Sequence, residues 1–194
     1  MSKHTIFLIL ILIIVSGAGC VTPENNNNTT PPTPPVQNGT VFTAEEVTKE
    51  QFNKTNFSEE GKFVYYKGEE KGVVKNTTIE TTYLKGKVPI ESLPTIIRTS
   101  DGYEEVEINY VKDNPNYPGS SQLNKIVKGA VHTNGEQPTH EEVSITFENN
   151  NYDVIGTAGP FNVPGDEEFR KEILSKGDIS YLRVDMRFYY REFA

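Results

Sequence analysis

The stretch YLRVDMRFYYR, residues 181–191, decides the fold. Leu182, Val184, Met186, Phe188 and Tyr190 alternate with Tyr181, Arg183, Asp185, Arg187, Tyr189 and Arg191, and successive side chains of a strand point to opposite faces. Five large apolar or aromatic side chains therefore share one face, the mark of a strand with one side against a core. On the opposite face Tyr181, Arg183, Arg187, Tyr189 and Arg191 form a candidate partner-binding surface. Guanidinium forks beside phenol rings suit carboxylates, glycans or another protein. The same row also reads as the solvated side of a sheet, with Asp185 neutralising its neighbours.

The same period recurs upstream. Val106, Ile108 and Tyr110 alternate with Glu105, Glu107 and Asn109, and Val143, Ile145 and Phe147 mark another buried face. Further strands are expected over residues 125–132, 141–148 and 152–157. KFVYYK (62–67) and VVKNTTIETTYL (73–84) flank a Gly-bounded charged turn and predict a β-hairpin. Asp101-Gly102, between residues 96–98 and 103–111, predicts a tight turn. Two helices are expected besides. Thr43-Ala44-Glu45-Glu46 fits a capping box opening a short helix to about Phe52. Gly165-Asp166-Glu167-Glu168 places acids before Phe169, Ile173 and Leu174, with a stop at Lys176-Gly177, and predicts a late amphipathic helix. The fold class that follows is mainly β, with α+β open: an antiparallel sheet or β-sandwich of about seven or eight strands in a single domain, residues 41–194.

That domain retains the formal net charge of −8 of the whole chain, because Lys3 and Glu24 outside it cancel. Nucleic acid and anionic lipid headgroups are thereby poor partners. The one cysteine of the chain is Cys20, so the domain has no disulfide framework.

The N-terminal segment carries the clearest address. Lys3 precedes TIFLILILIIV, residues 5–15, an apolar run short for a bilayer-spanning helix and of the length of a signal-peptide core. Gly17-Ala18-Gly19-Cys20 follows, and the small residues expose the backbone to a peptidase. These residues resemble the lipobox of bacterial and archaeal secreted lipoproteins, with Gly17 where that pattern has an aliphatic residue. The resemblance covers residues 1–20. It implies removal of residues 1–19, a lipid on Cys20, and display on the outer face of the cytoplasmic membrane. Residues 21–40, VTPENNNNTTPPTPPVQNGT, lack apolar periodicity and are expected to form a disordered linker. In extended polyproline form it reaches roughly 60 Å. Such an Asn/Thr/Pro-rich linker resembles archaeal lipoproteins. Asn27, Asn28, Asn38, Asn53, Asn56 and Asn76 each open an N-x-S/T sequon and are glycosylation candidates.

Chemistry-bearing patterns are sparse. His132 and His140 lie at the two ends of HTNGEQPTHEE, residues 132–142, with Glu136, Glu141 and Glu142 nearby. A hairpin there would bring both imidazoles to one metal ion. The spacing is not that of a zinc-protease helix, and a solvated polar hairpin reads equally from it. DNPN (113–116) and ENNNYD (148–153) offer oxygen ligands for calcium without helix-loop-helix spacing, and Asn and Asp are also what turns select. GTAGP (156–160) lacks a nucleophile and phosphate-loop spacing. Glu104 and Glu105 are adjacent on a strand and face opposite ways. No catalytic residue and no required cofactor emerge. The expected function is a membrane-anchored lipoprotein displaying a β-rich domain that binds a protein, a surface polymer or a small solute. The alternatives are a structural envelope component and a small extracytoplasmic enzyme or metal-binding protein.

Overall fold

The computed structural model describes residues 39–117 and 122–194. The signal segment, Cys20, the linker to residue 38 and the sequons at Asn27, Asn28 and Asn38 lie outside the described residues. Within them run ten strands: β1 (Thr40–Glu46), β2 (Phe63–Lys71), β3 (Thr78–Pro89), β4 (Thr95–Thr99), β5 (Glu104–Asp113), β6 (Lys125–Thr133), β7 (His140–Glu148), β8 (Val154–Val163), β9 (Glu168–Ile173) and β10 (Tyr181–Phe193). One short helix, α1 (Lys49–Lys54), joins β1 to β2. The strands form one sheet in the order β8-β7-β10-β3-β2-β1-β4-β5-β6-β9. Its edges, β8 and β9, come side by side, with the rings of Phe161 and Phe169 5.3 Å apart and Lys176 N donating to Ile155 O at 2.9 Å. The sheet is thus a nearly closed barrel, and the chain is mainly β.

β10 is the stave the alternation requires. It pairs antiparallel with β3 and with β7, register Val184 opposite Gly86 on one side and Ile145 on the other. Leu182, Val184, Met186 and Phe188 are all buried in one apolar cluster with Val143, Ile145 and Phe147 of β7 and Val106 and Ile108 of β5. Each large side chain so buried contributes about 2 kcal/mol. The Asp101-Gly102 turn forms as expected: Gly102 takes a φ of +75°, and its N–H donates to Thr99 O at 2.9 Å.

Several expectations are corrected. The late helix over 165–177 is instead strand β9, paired with the outer edge of β6. Phe169 and Ile173, four apart, satisfy a strand's period as well as a helix's. Gly129 of β6 leaves room for the Phe169 ring, whose Cζ lies 2.4 Å from where a Cβ would stand. Pairing an otherwise open edge outweighs local helix signals. Residues 43–46 likewise form strand, because β1 fills the gap between β2 and β4 with Ala44 fully buried. β1 is also parallel to both neighbours, a departure from an all-antiparallel sheet. The capping box belongs to Thr48 and Gln51, five residues downstream of Thr43 and Glu46. Tyr110 does not continue the inward face of β5, since a bulge after Ile108 shifts the alternation and turns Val111 toward the core. The count of ten strands exceeds seven or eight, β1, β4 and β9 being short.

The register sorts the strand ends into two rims. Thr40, Phe63, Pro89, Asp113, Lys125, Glu148, Ile173 and Tyr181 share one; Gly68, Thr82, Thr99, Glu104, Thr133, His140 and Val163 share the other. β1 enters from the first rim.

Candidate functional site

At the second rim the interior turns polar. Glu104, one step before Val106 on the inward face of β5, is 1% exposed. Its Oε1 accepts from Thr82 Oγ1 at 2.8 Å and from the phenol of Tyr190; its Oε2 accepts from Thr99 Oγ1 at 3.0 Å. Three hydroxyls from β3, β10 and β4 thus converge on a carboxylate of β5. Tyr190 reaches it from across the barrel, and burial beside that carboxylate pushes the Tyr190 phenol pKa up. This layer is the floor of an open cavity of about 640 Å³, walled by Lys67, Glu69, Glu80, Tyr103, Glu136 and Tyr190. The volume is that of a small-molecule site. Its charge is acidic: Lys67 is the sole cation of the wall, and its Nζ pairs with Asp101 at 2.6 Å while lying 5.0 Å from the Tyr103 ring centroid. Tyr103 stands half exposed at the lip.

At the same rim, but outside the lining of this cavity, Glu141, one alternation step before Val143 on β7, is fully buried. Neither carboxylate oxygen has a hydrogen-bond partner on another residue. Burial, with the Asp166 carboxylate nearby, holds its pKa up at about 7. Asp166 accepts from Thr133 N at 2.9 Å and from Gln137 Nε2 at 2.8 Å.

The residues singled out from sequence are distributed as follows. His132 and His140 do not flank a hairpin, because β6 and β7 are not neighbours in the sheet. His132 Nδ1 lies 3.9 Å from Asp166, whereas His140 stacks on Tyr189 with centroids 4.2 Å apart. Among the described residues no three His, Cys, Asp or Glu side chains gather as metal ligands. In the first acidic segment, Asp113 pairs with Lys125 and Asn114 caps a turn through Asn116 N. In the second, Asn149 accepts from Asn151 N and Asp153 N, so the Asn-rich turns serve their own backbone.

The Tyr/Arg face of β10 is partly covered by its neighbours. Arg183 pairs with the buried carboxylate of Glu148, which also takes Lys87 Nζ at 3.2 Å, and its guanidinium lies 4.8 Å from the Phe57 ring. Tyr181 stacks on Tyr152 at 5.0 Å, and that bonded neighbour raises its phenol pKa to about 12. Tyr189 is buried under His140. Arg187 and Arg191 remain exposed, Arg187 being 3.7 Å from Glu142. Asn53, Asn56 and Asn76 are exposed.

Glu104 and Glu141 were missed, yet the signal was present. Extending each strand's alternation by one period, two residues toward its N-terminus, places both on the buried face. What fold and cavity define is a nearly closed, ten-stranded β-barrel with an apolar core and an acidic, hydroxyl-rich mouth. Comparison of the chain with protein-family models, curated proteins and solved structures finds no match.

Proposed function

We propose that the chain is a lipoprotein, anchored through Cys20 outside the cytoplasmic membrane, whose barrel mouth binds a small solute rich in ammonium or hydroxyl groups. The observation that carries this reading is the acidic cavity over the Glu104 floor. Glu69, Glu80, Glu104 and Glu136 face it against a single lysine already paired, so anions are repelled and hydrogen-bond donors favoured. Tyr103 supplies a ring on which a cation or a sugar face stacks. β1 starts at the rim away from the mouth, and a linker ending at residue 39 therefore joins the barrel at the end remote from the cavity. A glycan at Asn53 or Asn56, on or beside α1, adds to the outer surface.

Two measurements test the two halves. Mass spectrometry of the membrane form is expected to find a mature chain starting at a lipidated Cys20; an unmodified thiol there overturns the anchor. Thermal melts with putrescine, trehalose and citrate are expected to show stabilisation by the diamine or the sugar and none by citrate. The shift is expected to vanish in Glu69→Gln/Glu80→Gln. Equal shifts in wild type and variant overturn the mouth as the site.

A further inference from the structure

We infer that the rim of the barrel carries a calcium site built from Glu141, Gln137 and Asp166. This site is separate from the proposed solute cavity and does not depend on it. Three elements meet there: the start of β7, the β6–β7 connection, and the β8–β9 turn. Glu141 brings a fully buried carboxylate with no partner on another residue. It reaches the space beside Gly165. The place where a Cβ would project from that glycine lies 3.4 Å from Glu141 Oε1 and 2.8 Å from Gln137 Oε1. Two oxygens from different elements, one anionic and one amide, thus border the same small space at the surface. Gly165 and Gln137 are themselves exposed, so an ion has a way in.

The third member is Asp166. Its carboxylate is held in place by Thr133 N and by Gln137 Nε2, which also turns the amide so that its oxygen points away from Asp166. Asp166 sits at φ +56°, a left-handed conformation that Asp tolerates better than most residues. The two carboxylates are close enough for Asp166 to disfavour the ionised form of Glu141. Among the described residues no lysine or arginine is paired with either of them; His132 Nδ1 lies 3.9 Å from Asp166. Across the ladders Glu141 meets Phe188 of β10 and Val163 of β8, neither of which donates.

Two anions and an amide oxygen, with a desolvated carboxylate free to bind through both oxygens, is a donor set for a hard cation. Calcium accepts carboxylate and amide oxygens in irregular geometry at 2.3–2.6 Å. Magnesium demands a stricter octahedron, and zinc prefers nitrogen and sulfur. The ion here would be held by protein oxygens on one side and water on the other, between the connection 134–139 and the turn 164–167, linking two segments that the ladders leave unpaired.

The test uses the detergent-solubilised full chain, stripped with EGTA and melted with and without calcium. Saturating calcium is expected to raise the midpoint by about 5 °C, with magnesium and potassium at equal concentration giving much less. Glu141→Gln, which keeps the shape and removes the charge, is expected to abolish the shift. Gly165→Ala, which fills the gap beside Gln137 Oε1 and leaves Glu141 intact, is expected to weaken calcium at least tenfold by calorimetry. No calcium shift in the wild type overturns the site, as does an equal shift in both variants. Loss in Glu141→Gln with Gly165→Ala unaffected also overturns this assignment, since the ion is then elsewhere. If Glu141→Gln fails to melt cooperatively, Gly165→Ala alone decides. Putrescine binding at the mouth is expected to survive in Gly165→Ala, which separates failure of this site from failure of the solute cavity.

Discussion

Two glutamates stand at the same height in the barrel, one step before the apolar run of their strands, and the protein treats them differently. Glu104 on β5 meets three hydroxyl donors from three other strands. Glu141 on β7 meets none. A buried carboxylate is tolerable when donors replace its lost hydration and costs several kcal/mol when they do not. The first is therefore part of the structure that holds the mouth open, tying β3, β4, β5 and β10 together where the apolar core ends. The second costs stability in the empty protein, and such a cost points to a group that meets another partner when the protein is at work.

Removing the satisfied carboxylate should do the greater damage. Glu104→Ala leaves the hydroxyls of Thr82, Thr99 and Tyr190 facing a cavity, and a loss of about 4 kcal/mol in urea unfolding is expected. A loss below about 1 kcal/mol breaks the comparison, because Glu104 would then be no better supported than Glu141.

Glu141→Gln should act in the opposite direction, in chelator, and in a pH-dependent way. The folded-state pKa of about 7 lies above the ordinary value of 4.5. Below pH 4.5 both states hold the proton, and the residue makes no difference between them. As pH rises from there to 7, the unfolded chain ionises while the folded one resists, so stability falls; above 7 the penalty levels off at about 3 kcal/mol. The variant should thus be more stable than wild type by about that amount at pH 8 and indistinguishable from it at pH 4. A pH-independent difference in denaturation midpoints would show that Glu141 acts through packing and not through charge.

How far all this could be read from the chain follows from what alternation records. The faces of β10, β7 and most of β5 were legible because Leu182 to Phe188, Val143 to Phe147 and Val106 to Ile108 keep a strict period of two. β9 was not, because Phe169 and Ile173 fit either period and the decision lay with the open edge of β6, a tertiary fact. β1 was hidden for a related reason: with Ala44 as its one buried residue, nothing local competes with the helical reading of Thr43 to Glu46. Of the Tyr/Arg row of β10, Arg187 and Arg191 are exposed, Tyr189 is buried under His140, and Arg183 and Tyr181 are engaged by Glu148 and Tyr152, partners 30 or so residues upstream. The mouth was the least legible part. Thr82, Thr99, Glu104 and Tyr190 are brought together by closure of the sheet, which no spacing along the chain encodes.

The smallest effect should come from one donor on the supported side. Tyr190→Phe keeps the ring and removes one of the three hydroxyls at Glu104, leaving those of Thr82 and Thr99. A charge-assisted hydrogen bond of this kind is worth about 2 kcal/mol, and the two hydroxyls that remain on the buried carboxylate soften the loss. The phenol donates to Glu104, on the β5 side of the barrel and not on β7. Combined with Glu141→Gln in chelator at pH 8, its cost should therefore add to that variant's gain within about 0.5 kcal/mol. Coupling beyond that would mean that the Glu104 and Glu141 sides of the rim answer to each other, and that a ligand on one is felt on the other.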